Sequence, residues 1–202
     1  MSQPVDEWLA DLGSAKPTPG GGAAAALMVA TGAALVEMVT NLTIGKPRYA
    51  EHEPLMLRAR DEAAALRVQA QTLAADDERA FNAVIAAYQL PRDDPGRSAA
   101  IQSATAEAAG PPLNTAALAA AVIRLASDIL PGANVNVLSD VSVAASAASA
   151  ALASAAVNVE VNLAALRDRD LAKVLGEELA GHLLAADEAD TIVSRVRMSL
   201  TR

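Results

Sequence analysis

Two neighbouring carboxylates in the run DDERAF, Asp76 and Asp77, make the most informative local contrast in the chain. At 100° per residue, Leu66, Ala70, Leu73, Asp77, Phe81, Val84 and Tyr88 share one helix face. Six of those seven positions are apolar or aromatic, and Asp77 is the exception. Asp76 falls on the polar face with Gln69, Thr72 and Arg79, so it reads as a solvated acid that can pair with Arg79. Asp77 is turned inward, where an ionised carboxylate is costly unless it is paired or hydrogen-bonded. Such a group has a perturbed pKa and suits proton transfer. The same placement also suits a carboxylate that caps or bridges to another helix.

A second polar set lies in a small-residue segment. Asp140 and Asn158 are five helical turns apart, with Ala144, Ala147 and Ala151 between them on the same stripe and Asn162 one turn beyond. About 27 Å of helix separates the two ends, so within one subunit they cannot meet on one small ligand. Read alone, these residues also fit a helix-start acid and two interhelical hydrogen-bonding amides. The stretch KPTPGGGAAAAL, residues 16–27, sets three glycines where a helix should begin. Glycine weakens a helix interior by about 0.5–1 kcal/mol relative to alanine, so either the position is a hinge or something approaches bare backbone there. Unpaired N–H groups at a helix start attract an anion or a polar ring edge. His52 and His182 have no ligand-like spacing to acids, and no metal site is predicted. The chain has no G-x-S-x-G, no P-loop and no strand-linked G-x-G-x-x-G.

The elements that must position these groups are helical. The chain has 202 residues, of which 52% are hydrophobic but only 2% aromatic; alanine dominates. Alanine is the best helix former, and an alanine-rich core reaches full density through close backbone approach. Helices are predicted at Val5–Leu12, about Gly21–Ile44, Leu55–Leu90, Arg97–Ala109, Leu113–Leu130, Val137–Leu166 and Asp170–Leu200. The breaks fall at Gly45 with Pro47, at the turn PRDDPG, at Gly110-Pro111-Pro112 and at Pro131-Gly132. The expected fold is an all-α, single-domain helical bundle over 1–202, with long central helices rich in small residues. A net charge of −8 argues against a nucleic-acid surface. The acidic N-terminus is unlike a signal peptide, and the uncharged runs Ala23–Val36 and Val141–Val159 lack the composition and flanks of a span. No membrane association and a cytoplasmic location are expected.

Five blocks together resemble one family. They are Pro17–Ala26, Ala33–Tyr49, Asp76–Phe81, Asn134–Asp140 and Ala155–Leu163, in order along the chain. They are similar to the C-terminal domain of formiminotransferase-cyclodeaminase and its stand-alone relatives, which include methenyltetrahydrofolate cyclohydrolases. The resemblance implies an all-helical homodimer that binds a folate and needs no cofactor beyond that substrate. It implies hydrolysis of 5,10-methenyltetrahydrofolate to 10-formyltetrahydrofolate. The alternatives are the cyclodeaminase reaction, with loss of ammonia and closure to the methenyl compound, or a non-catalytic folate-binding or interaction module. It also implies Asp77 as the proton-transfer group, supported by Asp140. Gly20, Gly21, Gly22, Lys46, Arg48, Asn134 and Asn158 would line the substrate, with the two cations facing folate glutamate carboxylates. Three departures stand out: Ala23 where relatives often have Ser, Pro47-Arg48 in place of a Lys-Lys pair, and Ala133 in place of Gly.

Overall fold

Small residues set the spacing of the central helices. In the computed structural model, which describes residues 3–199, Gly32 lies so close to a neighbouring helix that a Cβ there would sit 3.0 Å from the Ala144 carbonyl oxygen. The described residues form eight α-helices: α1 Val5–Leu12, α2 Gly21–Asn41, α3 Glu53–Gln89, α4 Arg97–Ala108, α5 Gly110–Ile129, α6 Leu138–Ala165, α7 Arg169–Leu183 and α8 Ala186–Ser199. Two 3-10 turns, Pro47–His52 and Val135–Val137, complete the set, and no strand occurs among these residues. The all-α bundle expected from composition is the observed fold class.

α2 is the central element and packs chiefly on α3 and α6, with α5 behind them. It runs antiparallel to α6, since Gly21 faces Asn158 while Leu42 and Thr43 bond to Asn134 at the other end. The core between them is built from Val29, Val36, Val39, Met56, Ile123, Ile129, Leu152 and Val159, closed by Ile192 of α8. By length and composition, α2 and the segment 135–165 could cross a membrane; 56% and 44% of their most apolar windows are buried against other helices.

Three boundaries and the burial of one face differ from expectation, each for a physical reason. α2 ends at Asn41 rather than near Ile44: Thr43 bonds back to the Val39 carbonyl, and Gly45 turns the chain at φ 75°. α5 begins at Gly110, because Pro111 and Pro112 sit in its first turn, where no N–H partner is needed. The predicted last helix is two helices, broken at Leu184-Ala185 so that the apolar stripes of α7 and α8 both reach α5 and α6; its predicted end at Leu200 lies outside the described residues. Finally, the Leu66–Tyr88 face of α3 is buried only over its first half. Leu66 and Ala70 are covered, whereas Phe81 is 47% and Tyr88 54% exposed. α3 is 37 residues long, and α2 begins beside Asp77, so nothing from α2 covers α3 beyond that point.

Candidate active site

Asp77 therefore stands where the core ends. The N–H of Ala23, in the first turn of α2, favours the ionised form of its carboxylate, and α2 has no side-chain cap of its own at Gly20. Gly22 makes that contact possible. A Cβ at Gly22 would come within 2.1 Å of Asp77 Oδ1 and 2.6 Å of Oδ2, closer than any side chain tolerates. One of the three glycines is thus required by the protein's own carboxylate. A small cluster of Trp8, Ala23, Ala26 and Ala74, separate from the main core, clamps α1, α2 and α3 together one turn from this contact.

Burial pushes the Asp77 carboxyl above the usual carboxylate range; the Ala23 N–H opposes that shift, and the charge of Glu78 adds to it. Asp76 behaves as its helix position implies and pairs with Arg79 at the surface.

A cavity of about 170 Å³ opens beside Asp77. It is lined by Gly20–Gly22, Phe81, Asn158, Val161 and Asn162, with Pro17 and Thr18 at its edge and Ala108 from the end of α4. Of the residues singled out in the sequence, the structure brings together Gly20, Gly21, Gly22, Asp77 and Asn158. Asn162 completes the set; its signal was the four-residue spacing from Asn158. Phe81 was legible on the Asp77 face, yet it is a rim residue rather than core.

Lys46, Arg48, Asn134 and Asp140 lie at the opposite end of the α2–α6 pair. Lys46 and Arg48 are exposed just beyond α2, and Arg48 stacks over Tyr49 with its guanidinium carbon 5.6 Å from the ring centre. Asp140 occupies the first turn of α6, half-buried. Asn134 is 3% exposed, and both ends of its amide are engaged within the chain. Nδ2 donates to the Leu42 carbonyl at 3.0 Å, and Oδ1 accepts from the Asn136 N–H at 3.2 Å and from the Tyr49 hydroxyl. Within one subunit Asn134 ties α6 to the end of α2. Among the described residues, no three His, Cys, Asp or Glu side chains converge as a metal set would. A larger groove of about 520 Å³ between α1, α2 and α3 has one charged lining residue, Arg67, which is held at 2.9 Å by Glu37.

The cavity thus offers a carboxyl of raised pKa, bare backbone N–H groups at a helix start and two side-chain amides. That combination suits proton transfer on a flat, polar, nitrogen-bearing ligand. Comparison with known proteins points the same way. The family model for formiminotransferase-cyclodeaminase matches residues 4–181. The chain is 42% identical to a methenyltetrahydrofolate cyclohydrolase of Methylorubrum extorquens over 92% of its own length and 91% of that protein. It is 32% identical to the formimidoyltransferase-cyclodeaminase of Rattus norvegicus, of which it spans 30%. A crystal structure of formiminotetrahydrofolate cyclodeaminase from Thermotoga maritima superposes with a TM-score of 0.91 at 28% identity, covering 100% of this chain and 98% of that one. The chain belongs to the formiminotransferase-cyclodeaminase family.

Proposed function

We propose that this protein is a methenyltetrahydrofolate cyclohydrolase, hydrolysing 5,10-methenyltetrahydrofolate to 10-formyltetrahydrofolate. The observation that carries the reading is the Asp77 carboxyl, held at the bare start of α2 in a cavity with Asn158 and Asn162. The 42% identity to a cyclohydrolase over nearly the full length of both chains supports it.

The substrate is an amidinium cation. Water adds to the carbon between N5 and N10 and gives up one proton to Asp77, forming a neutral tetrahedral adduct. The C–N5 bond then breaks as N5 takes a proton from the carboxyl. The hydroxyl loses its own proton to become the formyl carbonyl on N10, so one proton is released overall. A carboxyl of raised pKa holds and returns protons more readily than an ordinary aspartate, and the substrate's positive charge favours its ionised form when needed. The reaction needs no redox or group-carrying cofactor.

A cavity of about 170 Å³ is smaller than the about 300–1,000 Å³ that encloses a drug-sized ligand. A pterin can enter it, while the benzoyl-glutamate tail must run outside. We assign that tail to Lys46 and Arg48 of a second copy in a homodimer. Met28, Thr31, Leu35, Met38 and Leu42 recur at helical spacing along the outer side of α2. Val143, Ala150, Val157 and Val161 do so along α6, and neither stripe contains a charge. Val143, Val157 and Val161 are each more than half exposed. Cations at one end and the Asp77 cavity at the other make this face complementary to itself. A two-fold axis across its middle places the partner's Lys46 beside the glycine turn. Asp140, on the same end of α6 as Lys46, travels with it. This assembly would cover the exposed apolar stripes of α2 and α6; a cytoplasmic location with no membrane or nucleic-acid partner is part of the same proposal.

The test is spectrophotometric: the absorbance of 5,10-methenyltetrahydrofolate should fall when enzyme is added, and Asp77→Asn should abolish the fall while remaining folded. The cyclodeaminase structure at TM-score 0.91 favours a second reading, ammonia loss from the formimino substrate. That reaction makes the same absorbance rise. Neither change leaves only a binding module.

A further inference from the structure

The two cavity asparagines are held in a particular orientation. Asn158 Nδ2 donates to the Ser154 carbonyl at 2.8 Å. Asn162 Nδ2 donates to the Ala108 carbonyl at 3.1 Å and to the Asn158 carbonyl at 3.0 Å. Carbonyl oxygens only accept, so these atoms must be the NH₂ ends, and the amides cannot be reversed without loss. Among the described residues, no hydrogen bond occupies Oδ1 of either side chain, and both residues line the cavity. The α6 wall therefore carries two amide oxygens, one helical turn apart, that are free to accept from a ligand. The donors of the cavity lie across from it, in the N–H groups at the start of α2. The anchor of Asn162 on Ala108 also fixes this wall to the end of α4.

We propose that Asn158 and Asn162 form a subsite for a planar edge that carries N–H donors, namely the exocyclic 2-amino group and adjoining ring N–H of the pterin. The inference rests on the folate reading above and adds which edge of the ring enters first and what reads it. With the amino edge on α6, the ring is laid across the glycine turn towards Asp77, whose carboxyl is left for the reacting carbon. The subsite discriminates against a ring lacking the amino group, because one of the two acceptors is then left unpaired. The competing arrangement has Asp77 itself take the amino edge.

The experiment measures binding of 5-formyltetrahydrofolate and of its 2-desamino-2-methyl counterpart, by calorimetry, to the full-length protein and to three variants. Wild type should bind the analogue about tenfold more weakly, the loss of roughly one well-formed hydrogen bond. In Asn158→Ala and Asn162→Ala that ratio should fall towards one, while Asp77→Asn should keep it. Asn158→Asp, which retains an acceptor, should keep it as well. A ratio that survives both alanine changes, or that collapses only in Asp77→Asn, overturns the subsite and leaves the folate reading standing. Wild-type protein that binds neither compound defeats both. Asn158 Nδ2 bonds only within its own helix, so Asn158→Ala decides the matter even if Asn162→Ala fails to fold.

Discussion

The two ends of the antiparallel α2–α6 pair use similar residues in opposite ways. At the Asn134 end, the amide, the Thr43 hydroxyl and the Tyr49 hydroxyl bond one another or the backbone, and Asn134 is buried. At the Gly21 end, two cavity-lining asparagines spend their NH₂ groups on the backbone, and their oxygens make no hydrogen bond among the described residues, next to a carboxyl of raised pKa. Polar groups whose bonds are all made within the chain stabilise it. Polar groups held in place yet left open are poised for a ligand. Side-chain identity alone does not separate the two cases.

The most damaging way to disturb this contrast is at Gly22. Gly22→Ala should displace the Asp77 carboxyl and lower kcat by about a hundredfold or more, with overpacking costing about 1–3 kcal/mol in a urea melt. An active Gly22→Ala enzyme would show that the carboxyl need not sit at the helix start. Asp77→Asn should cost about 10²–10⁴ in kcat while keeping the fold, because the amide is close to the carboxylate in size and keeps an acceptor oxygen beside the start of α2. Its stability should also behave differently with pH. The folded carboxyl has the higher pKa, so the native state holds its proton where the unfolded chain has released it. Wild-type stability should therefore decline as pH rises from the ordinary carboxylate pKa to the raised one, then level off. Asp77→Asn should lose that decline in melts recorded across the same window.

The other end should respond in stability rather than rate. Asn134→Ala strands the Leu42 carbonyl and the Asn136 N–H and should cost about 1–3 kcal/mol, with kcat near wild type well below the melting temperature. A large fall in kcat with unchanged melting would place Asn134 in the chemistry instead. Lys46→Ala should act more gently, raising KM for the polyglutamylated substrate several-fold and weakening its salt dependence. Mixing Asp77→Asn with a Lys46→Glu, Arg48→Glu double variant should recover activity above either alone if the two ends meet across a two-fold axis. No recovery, with dimers present by sedimentation, would confine each site to one subunit.

Much of the fold was legible because its signals are local. Proline and glycine marked most of the helix ends, and alanine content indicated close helix packing. The break between α7 and α8 carried no such marker, since neither Leu184 nor Ala185 stops a helix by itself; the demand that two apolar stripes reach the same core bends the chain there. The site was legible in part. Asp77 betrayed itself as a charge on an apolar face, and Asn162 by its spacing. The exposure of Phe81 and Tyr88 was hidden, because a helical wheel shows which residues share a side but not where the neighbouring helix stops.

By itself, then, the sequence determined that the chain is helical, where most helices begin and end, and that one aspartate breaks an otherwise apolar stripe, since each of these depends on residues within a few turns of one another. Only the tertiary structure decided that Gly22 exists to admit Asp77, that Asn158 and Asn162 line a cavity with their NH₂ groups tied to backbone carbonyls, and that Asn134 has its amide tied into the fold. Those outcomes depend on how far apart two helices lie and at what level they cross. Both are set by packing among residues distant in the chain.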